Sequence, residues 1–532
     1  MKRGEIDKME IIKKRRRLNN LSVVFLIVLQ LIIILYSMNQ KIDFHVDEYY
    51  TYGLANNAEN LVGFWTPDNV EYRGEEAFKS YLTVDQNHRF DYSLVWNNQT
   101  NDTHPPLYYA VIHTICSCFP GVFTRWFGMA ANLIFFVISA LLIYKISEKL
   151  FNNSIKALLT LAVWGCVTGT VNTAIFIRMY MMVTVFVLAI ILIHLEIYTF
   201  NKLTWKFYIK LLFLTIGGAL THYYFLVFIF FVAFFYGIYM LAYKRFRETI
   251  LYVITYVSAG IISLGIFPAM IAHIFSGERG KQAFDAFQHG SNYITQAIEY
   301  LKLVADETVG NIWIFSVLCI LSFIILLNYI LTDGIKKTTY KVVNSPFFAF
   351  FLITLCYFCV IVKIAPYITN RYISPVYGFI IILMMEILYS FVHLLSIKSV
   401  VKKVAILFFA VLVLGGTWNY GLQNLLLYKQ TAINTATANS DKNVLYVYDG
   451  AGWKTICNRK ELINFQSYVF VKTENLQQYL NGKDLNGSFL YVTSVLDQDS
   501  IIEQIKAANV NVNSVEYLYN SEYASVYKLS MQ

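Results

Sequence analysis

Apolar runs recur along most of this chain, separated by short polar stretches. A bilayer crossing takes about 20 helical residues at about 1.5 Å each. Eleven runs fit: Leu21–Met38, Phe123–Tyr144, Ile155–Phe176, Met179–Tyr198, Phe207–Leu220, Tyr223–Tyr243, Ile250–Ala269, Asn311–Leu331, Phe347–Ile364, Tyr372–Leu395 and Val404–Trp418. A further apolar run, Pro105–Phe119, is shorter and opens on two prolines.

That short run decides the topology. If it crossed, every later loop would change sides. Five loops carry basic clusters: Lys145/Lys149/Lys156, Lys202/Lys206/Lys210, Lys244/Arg245/Arg247, Lys336/Lys337/Lys341 and Lys398/Lys402/Lys403. All five face the cytoplasm only if Pro105–Phe119 lies in the outer interface, and the positive-inside rule selects that arrangement. Lys13, Lys14, Arg15, Arg16 and Arg17 precede the first run and hold it on the same side, where anionic lipid attracts them. Tyr36-Ser37-Met38-Asn39 is no small-residue cleavage site, so the first run reads as an anchor.

The pattern therefore predicts a polytopic α-helical membrane protein with its N-terminus inside and its C-terminus outside. Residues 1–20 form a basic cytoplasmic terminus and 21–427 a transmembrane domain. Within that domain, the outer loop 39–122 has helix-like stretches at Glu48–Glu59, Glu75–Tyr81 and Pro106–Phe119, and a second long outer loop covers 271–310. The tail, 428–532, alternates β-rich runs (Val444–Tyr448, Tyr468–Val471, Phe489–Val492, Ala524–Leu529) with helical patterns at Leu476–Leu480 and Ser500–Ala508. That alternation predicts a small α/β domain.

Composition agrees with this picture. Hydrophobic residues are 57 % and charged residues 14 % of the chain, against about 25 % charged in ordinary soluble domains. Aromatics at 17 % suit many helix ends in bilayer interfaces. The net charge of +9 resides largely in the cytoplasmic loops, which argues against a nucleic-acid partner. The seven cysteines are scattered, and Cys356-Tyr-Phe-Cys359 reads as two small side chains one turn apart in an apolar helix. The tail has neither a GxGxxG nor a P-loop, so nothing supports nucleotide binding.

The predicted topology gathers chemistry at one membrane boundary. Asp47 and Glu48 follow the first span in His45-Val-Asp-Glu-Tyr-Tyr, and Asp102 and His104 open the interfacial helix. Arg178 and His222 lie at outer turns, and Arg371-Tyr372 begins a span. Each has a bland reading. Asp47 would cap a helix beginning at Glu48, worth about 1 kcal/mol. Asp102 and His104 would form a turn, His222 would be structural, and both arginines would snorkel to headgroups. Adjacent helical residues point about 100° apart, so Asp47 and Glu48 cannot both aim at one atom; one catalyses and the other supports. A boundary carboxylate can take a proton from an acceptor hydroxyl. Arginine fits phosphate through planar paired donors. Together they suit a sugar carried on a lipid phosphate.

Asp47-Glu48 after the first span, His104-Pro-Pro-Leu-Tyr-Tyr, Arg178-Met-Tyr, Thr221-His-Tyr and Arg371-Tyr-Ile-Ser-Pro resemble the C-type superfamily of membrane glycosyltransferases. The resemblance covers residues 1–395 and points to the branch of protein mannosyltransferases and lipid A aminoarabinose transferases. It implies a polyprenyl-phosphate sugar donor, an acceptor attacking at the outer face, and inversion at the anomeric carbon. Asp47 would be the base, Arg178 and Arg371 would bind donor phosphate, and Asp102 and His104 would shape the site, with His222 and Tyr372 in the matching motifs. Some members of the superfamily use a divalent metal; no ligand spacing here assigns one. The acceptor, whether glycan, lipid or protein, stays open. Frequent Ile, Asn, Lys and Tyr suggest an AT-rich bacterium, where undecaprenyl phosphate would be the carrier.

Two rival readings remain at this point. A transporter or flippase would use Glu386, Glu196 and His194, which fall within or near the ends of spans. A non-catalytic partner of an envelope glycan synthase would tolerate neutral changes at Asp47.

Overall fold

A computed structural model of the chain describes residues 2–199, 202–289, 292–508 and 511–531. The side chains of residues 2–16 and 289, including the basic cluster Lys13, Lys14, Arg15 and Arg16, lie outside the described residues. The helices, in chain order, begin with α1 (Lys2–Gln40), α2 (Val46–Asn56), α3 (Glu76–Leu82), α4 (Tyr92–Asn101), α5 (Leu107–Ser117), α6 (Arg125–Phe151) and α7 (Ser154–Cys166). Next come α8 (Thr168–Ile175), α9 (Tyr180–Thr199), α10 (Trp205–Ala219), α11 (Tyr224–Ala242), α12 (Phe246–Ile266), α13 (Ala269–Phe275) and α14 (Glu278–His289). The series continues with α15 (Tyr293–Thr308), α16 (Ile312–Asp333), α17 (Ile335–Val343), α18 (Pro346–Ile364), α19 (Tyr377–Leu394) and α20 (Ser399–Tyr420).

The chain forms two compact units. The first comprises Met1–Met38, Thr103–Tyr108 and Met129–Gln423; the second comprises Asn39–Asp102, Tyr109–Gly128 and Asn424–Gln532.

The first unit is a polytopic bundle of apolar helices. Among the described residues nine helices are long and apolar enough to cross a membrane: the Arg17–Gln40 part of α1, then α6, α9, α11, α12, α16, α18, the Ser374–Leu394 segment containing α19, and α20. Many of their side chains are exposed Leu, Ile, Val and Phe, as expected of surfaces facing lipid. Two of the eleven expected runs differ in form. Ile155–Phe176 is the pair α7 and α8, bent by 56°. The break falls at Val167, which takes an extended conformation (φ −69°, ψ 145°), and the Thr168 hydroxyl donates to the Thr417 carbonyl at 3.0 Å. Just past the bend, Gly169 allows a close approach: a Cβ there would lie 2.6 Å from the Tyr377 ring and 2.9 Å from the Glu307 carbonyl oxygen. The other run, α10, is a helix of only 15 residues.

The second unit is built on one six-stranded sheet made from the first loop and the tail. Its strands are β1 (Glu71–Tyr72), β2 (Asn443–Tyr448), β3 (Ser467–Lys472), β4 (Phe489–Thr493), β5 (Ser514–Ser521) and β6 (Ala524–Ser530). The order is β1-β3-β2-β4-β6-β5, with β3, β2 and β4 parallel. β1 comes from the loop and pairs antiparallel with β3, Tyr72 opposite Tyr468.

Alternation along the central strands separates two cores. Leu445, Val447, Val469, Val471, Leu490 and Val492 form an aliphatic face packed with Leu476, Leu480, Ile501 and Ile505 from the tail helices. Tyr446, Tyr468, Phe470 and Tyr491 form an aromatic face on which the loop lays Phe64, Phe78 and Tyr72, with ring centroids 5.8–6.3 Å apart. Charge also ties loop to tail. Lys429 is buried between Asp43 (2.9 Å) and Glu522 (2.6 Å), and Arg459 forks onto Glu75. Burial by itself would raise the Asp43 carboxyl, but the Lys429 charge brings it below the ordinary carboxylate range.

Candidate functional site

In the first unit, four separated segments meet. His104 lies ahead of α5, whose first residue, Leu107, donates its N–H to the Leu220 carbonyl at 3.0 Å. That bond brings the His104 turn beside the turn between α10 and α11, which holds His222. The two imidazole rings are 6.2 Å apart. Arg178, only 3 % exposed, sits between α8 and α9 and places Nη2 3.3 Å from His104 Nε2. Asn132 of α6 anchors this region by donating to the Ala174 and Phe176 carbonyls, and it accepts the Tyr108 hydroxyl at 2.9 Å.

Aromatic rings extend the cluster to the fourth segment. Tyr180 lies 5.4 Å from His222 and 6.5 Å from Tyr372, and Tyr224 lies 5.1 Å from His222 and 5.2 Å from Tyr372. The Arg371 guanidinium stands over the Tyr372 ring at 5.2 Å, a favourable cation–π position. Tyr357 of α18 holds this turn by donating to the Tyr372 carbonyl at 2.7 Å.

His222 does two things. Its Nδ1 accepts the Tyr224 N–H at 3.0 Å and so shapes the start of α11, and its ring faces His104. Burial above all, with the neighbouring His104 and Arg178 acting in the same direction, pushes its imidazole well below the usual histidine range. His222 is therefore neutral near pH 7, and Arg178 keeps its charge. The cluster offers guanidinium and aromatic donors in a region of low exposure, where a bound anion is weakly screened.

Beside this cluster lies a residue that sequence reasoning missed. Glu307 of α15 is fully buried and accepts hydrogen bonds from Asn172, Asn370 and Tyr377. Burial drives its carboxyl up to about 7, and the three donors only partly oppose that rise. Tyr180 stands within the quoted Arg178-Met-Tyr motif and Tyr224 one residue beyond Thr221-His-Tyr. The signal for Glu307 was a carboxylate among Val304, Ala305 and Val309, on a helix otherwise patterned as amphipathic.

The remaining candidates belong to the second unit. The α2 helix begins at Val46, with His45 as its N-cap, and Glu48 completes a capping box by accepting the His45 N–H at 2.8 Å. The Asp47 carboxylate therefore does not cap the helix. Its side chain is 23 % exposed, and Oδ2 lies 3.6 Å from His45 Nδ1. Glu48 is enclosed and paired with Lys41 at 2.6 Å. Asp102 is the C-cap of α4, its N–H donating to the Gln99 carbonyl at 3.2 Å. Among the described residues, no three His, Cys, Asp or Glu side chains converge as metal ligands would.

No protein-family model and no curated protein sequence matches the chain. Solved structures do. ArnT from Cupriavidus metallidurans bound to undecaprenyl phosphate superposes with a TM-score of 0.53 at 11 % identity, covering 95 % of this chain and 97 % of its own. The same protein in its apo state gives 0.51 at 11 % identity, with the same coverage of both chains. At that identity the likeness concerns architecture. The chain thus shares the fold of ArnT from Cupriavidus metallidurans.

Proposed function

We propose that this protein transfers a sugar from a polyprenyl-phosphate donor to an acceptor at the outer face of a cell membrane. The observation that carries the reading is the meeting of His104, Arg178, His222 and the Arg371-Tyr372 turn from four distant segments. A fold shared with a protein that binds undecaprenyl phosphate supports it.

In the proposed reaction Asp47 takes the proton from the acceptor hydroxyl. The oxygen then attacks the anomeric carbon, and the bond from that carbon to the phosphate oxygen breaks with inversion. Polyprenyl phosphate leaves with the electron pair, and the Arg178 and Arg371 guanidinium groups hold the charge it develops. Glu48, enclosed by its capping bond and by Lys41, is the supporting member of the acidic pair. Asp102 and Tyr372 belong to the proposed binding surface as well.

The groups that would serve a transport relay have local partners. Glu386 accepts from Ser390 at 2.9 Å, His194 lies 2.7 Å from the Tyr252 hydroxyl, and Glu196 lies 3.7 Å from Lys210. Those bonds favour a structural use of all three.

Mass spectrometry of envelope glycans from cells with and without the gene tests the proposal and identifies sugar and acceptor together. The expected result is loss of one sugar from one acceptor class. Unchanged glycans and glycoproteins, with no transfer by the purified protein in lipid vesicles, would overturn it.

A further inference from the structure

Glu307 takes no part in the reaction proposed above, yet its surroundings are those of a site rather than a core. Three elements each send it one donor: Asn172 Nδ2 from α8 at 3.0 Å, Asn370 Nδ2 at 2.7 Å, and the Tyr377 hydroxyl from the start of α19 at 2.7 Å. A buried carboxylate is costly compared with an apolar side chain of similar size, even when it is well bonded. The bend at Val167 and the bare Cα of Gly169 are what admit Glu307 to this position.

The donors share a consequence. Asn370 immediately precedes Arg371 in a single turn of 3-10 helix, Asn370–Tyr372, within a connection between α18 and α19 that is otherwise irregular over residues 365–369. Side chains therefore set the shape of that connection. Two turns back from Glu307 on the same face of α15, Tyr300 donates its hydroxyl to the Tyr367 carbonyl at 2.6 Å. Arg279 of α14 stands over the Tyr367 ring at 5.4 Å. One helix thus grips the connection at two points, 367 and 370, immediately ahead of the arginine.

We infer that Glu307 is a positioning residue: through Asn370, and with Tyr300 beside it, it fixes the turn from which Arg371 binds the donor phosphate. The inference rests on the proposed role of Arg371. A ligand whose own support is locked by surrounding hydrogen bonds holds its geometry better than one on an unsupported loop.

The test is titration of the purified full chain, in lipid nanodiscs, with undecaprenyl phosphate. Glu307→Ala and Asn370→Ala should each weaken binding about fivefold or more, and Asn370→Ala/Arg371→Ala should bind no more weakly than Arg371→Ala alone. Glu307→Gln should stay within about twofold of the parent, because its oxygen can keep both asparagine donors while its amide turns to the Tyr377 oxygen. Should Glu307→Ala fail to fold, Asn370→Ala decides, since it removes only the link to the turn. Parent-like binding by Asn370→Ala, or additive losses in the double variant, overturns the positioning role and leaves the site reading standing. Parent-like binding by Arg371→Ala overturns that reading itself.

Discussion

Arg178 Nη2 lies 3.3 Å from His104 Nε2, although 74 positions separate them in the chain. A guanidinium has no acceptor, so it donates and the imidazole nitrogen accepts. The His104 proton is then on Nδ1, 3.2 Å from the Thr103 hydroxyl oxygen. His104 is a neutral orienting group, and the charge of the pair belongs to Arg178 alone. Arg178→Ala should weaken undecaprenyl phosphate binding by about ten- to a hundredfold, the range for a lost charged hydrogen bond. Arg178→Lys should not restore it, because one ammonium cannot reproduce the planar fork. His104→Gln, which keeps an acceptor, should bind better than His104→Ala. Parent-like binding by all four variants would remove this pair from the donor site.

Asp47 is the proposed base, and neutralising it isolates the proton transfer. Asp47→Asn should lower sugar transfer by about a hundredfold or more, with undecaprenyl phosphate binding unchanged. Since His45 and Glu48 cap α2, the asparagine leaves that helix start intact. Turnover by the purified variant at the parent rate would exclude Asp47 from the chemistry.

The Glu307 carboxyl, held at about 7 against an ordinary 4.5, gives a stability profile with a definite sign. The folded chain keeps this proton over a range in which the unfolded chain has released it. Its contribution is therefore full below about pH 4.5 and is lost as pH rises through about 7, a difference on the order of 3 kcal/mol. Asp306 is the acidic neighbour that reinforces the rise; Tyr377, Asn370 and Asn172 face the carboxylate as neutral donors, and the nearby Tyr420 phenol is itself pushed up, by burial first and then by the Glu307 charge. Thermal unfolding followed from pH 5 to 8 should show this fall in the parent and a flatter profile in Glu307→Gln. Parallel profiles would assign the pH dependence to other groups.

The side on which each loop lies can be read with single cysteines. Asn97 and Lys337 are both exposed, and the exposed Cys118 and Cys319 would first be changed to serine. On intact cells, Asn97→Cys should react with an impermeant maleimide and Lys337→Cys should react only after permeabilisation. Labelling of both positions on intact cells would mean that Pro105–Phe119 crosses the membrane, since a crossing there moves Lys337 outside and leaves Asn97 where it is.

Helix positions were legible because bilayer-length apolar runs are a strong signal, and the tail strands β2, β3, β4 and β6 because they alternate or run apolar between turns. The failures were failures of context. β1 is two residues long and exists only because Tyr468 and Val469 lie opposite it. β5 alternates weakly, and its exposed Glu516 and Tyr517 hide the pattern. The break between α7 and α8 falls where Gly169 meets Tyr377 and Glu307, which lie far away in sequence. Asp47 looked like a cap because acidic residues favour that position, whereas His45 takes the place and Glu48 closes the box. Glu307 was missed for the same reason: periodicity shows which face of α15 is buried, but not that three donors wait there. The residues of the His104–Arg178 cluster could be nominated from motif and side, but no spacing rule yields their contact.

Because β1 pairs with β3, and Phe64 and Phe78 pack on its Tyr468 and Phe470 as well as on each other, the early loop is complete only when β3 has been made. During synthesis it waits, sticky and half-built, while every intervening membrane helix is threaded. A ribosome that stops after α20 would leave those rings bare, so an unfinished copy announces itself to whatever proteases patrol the membrane surface.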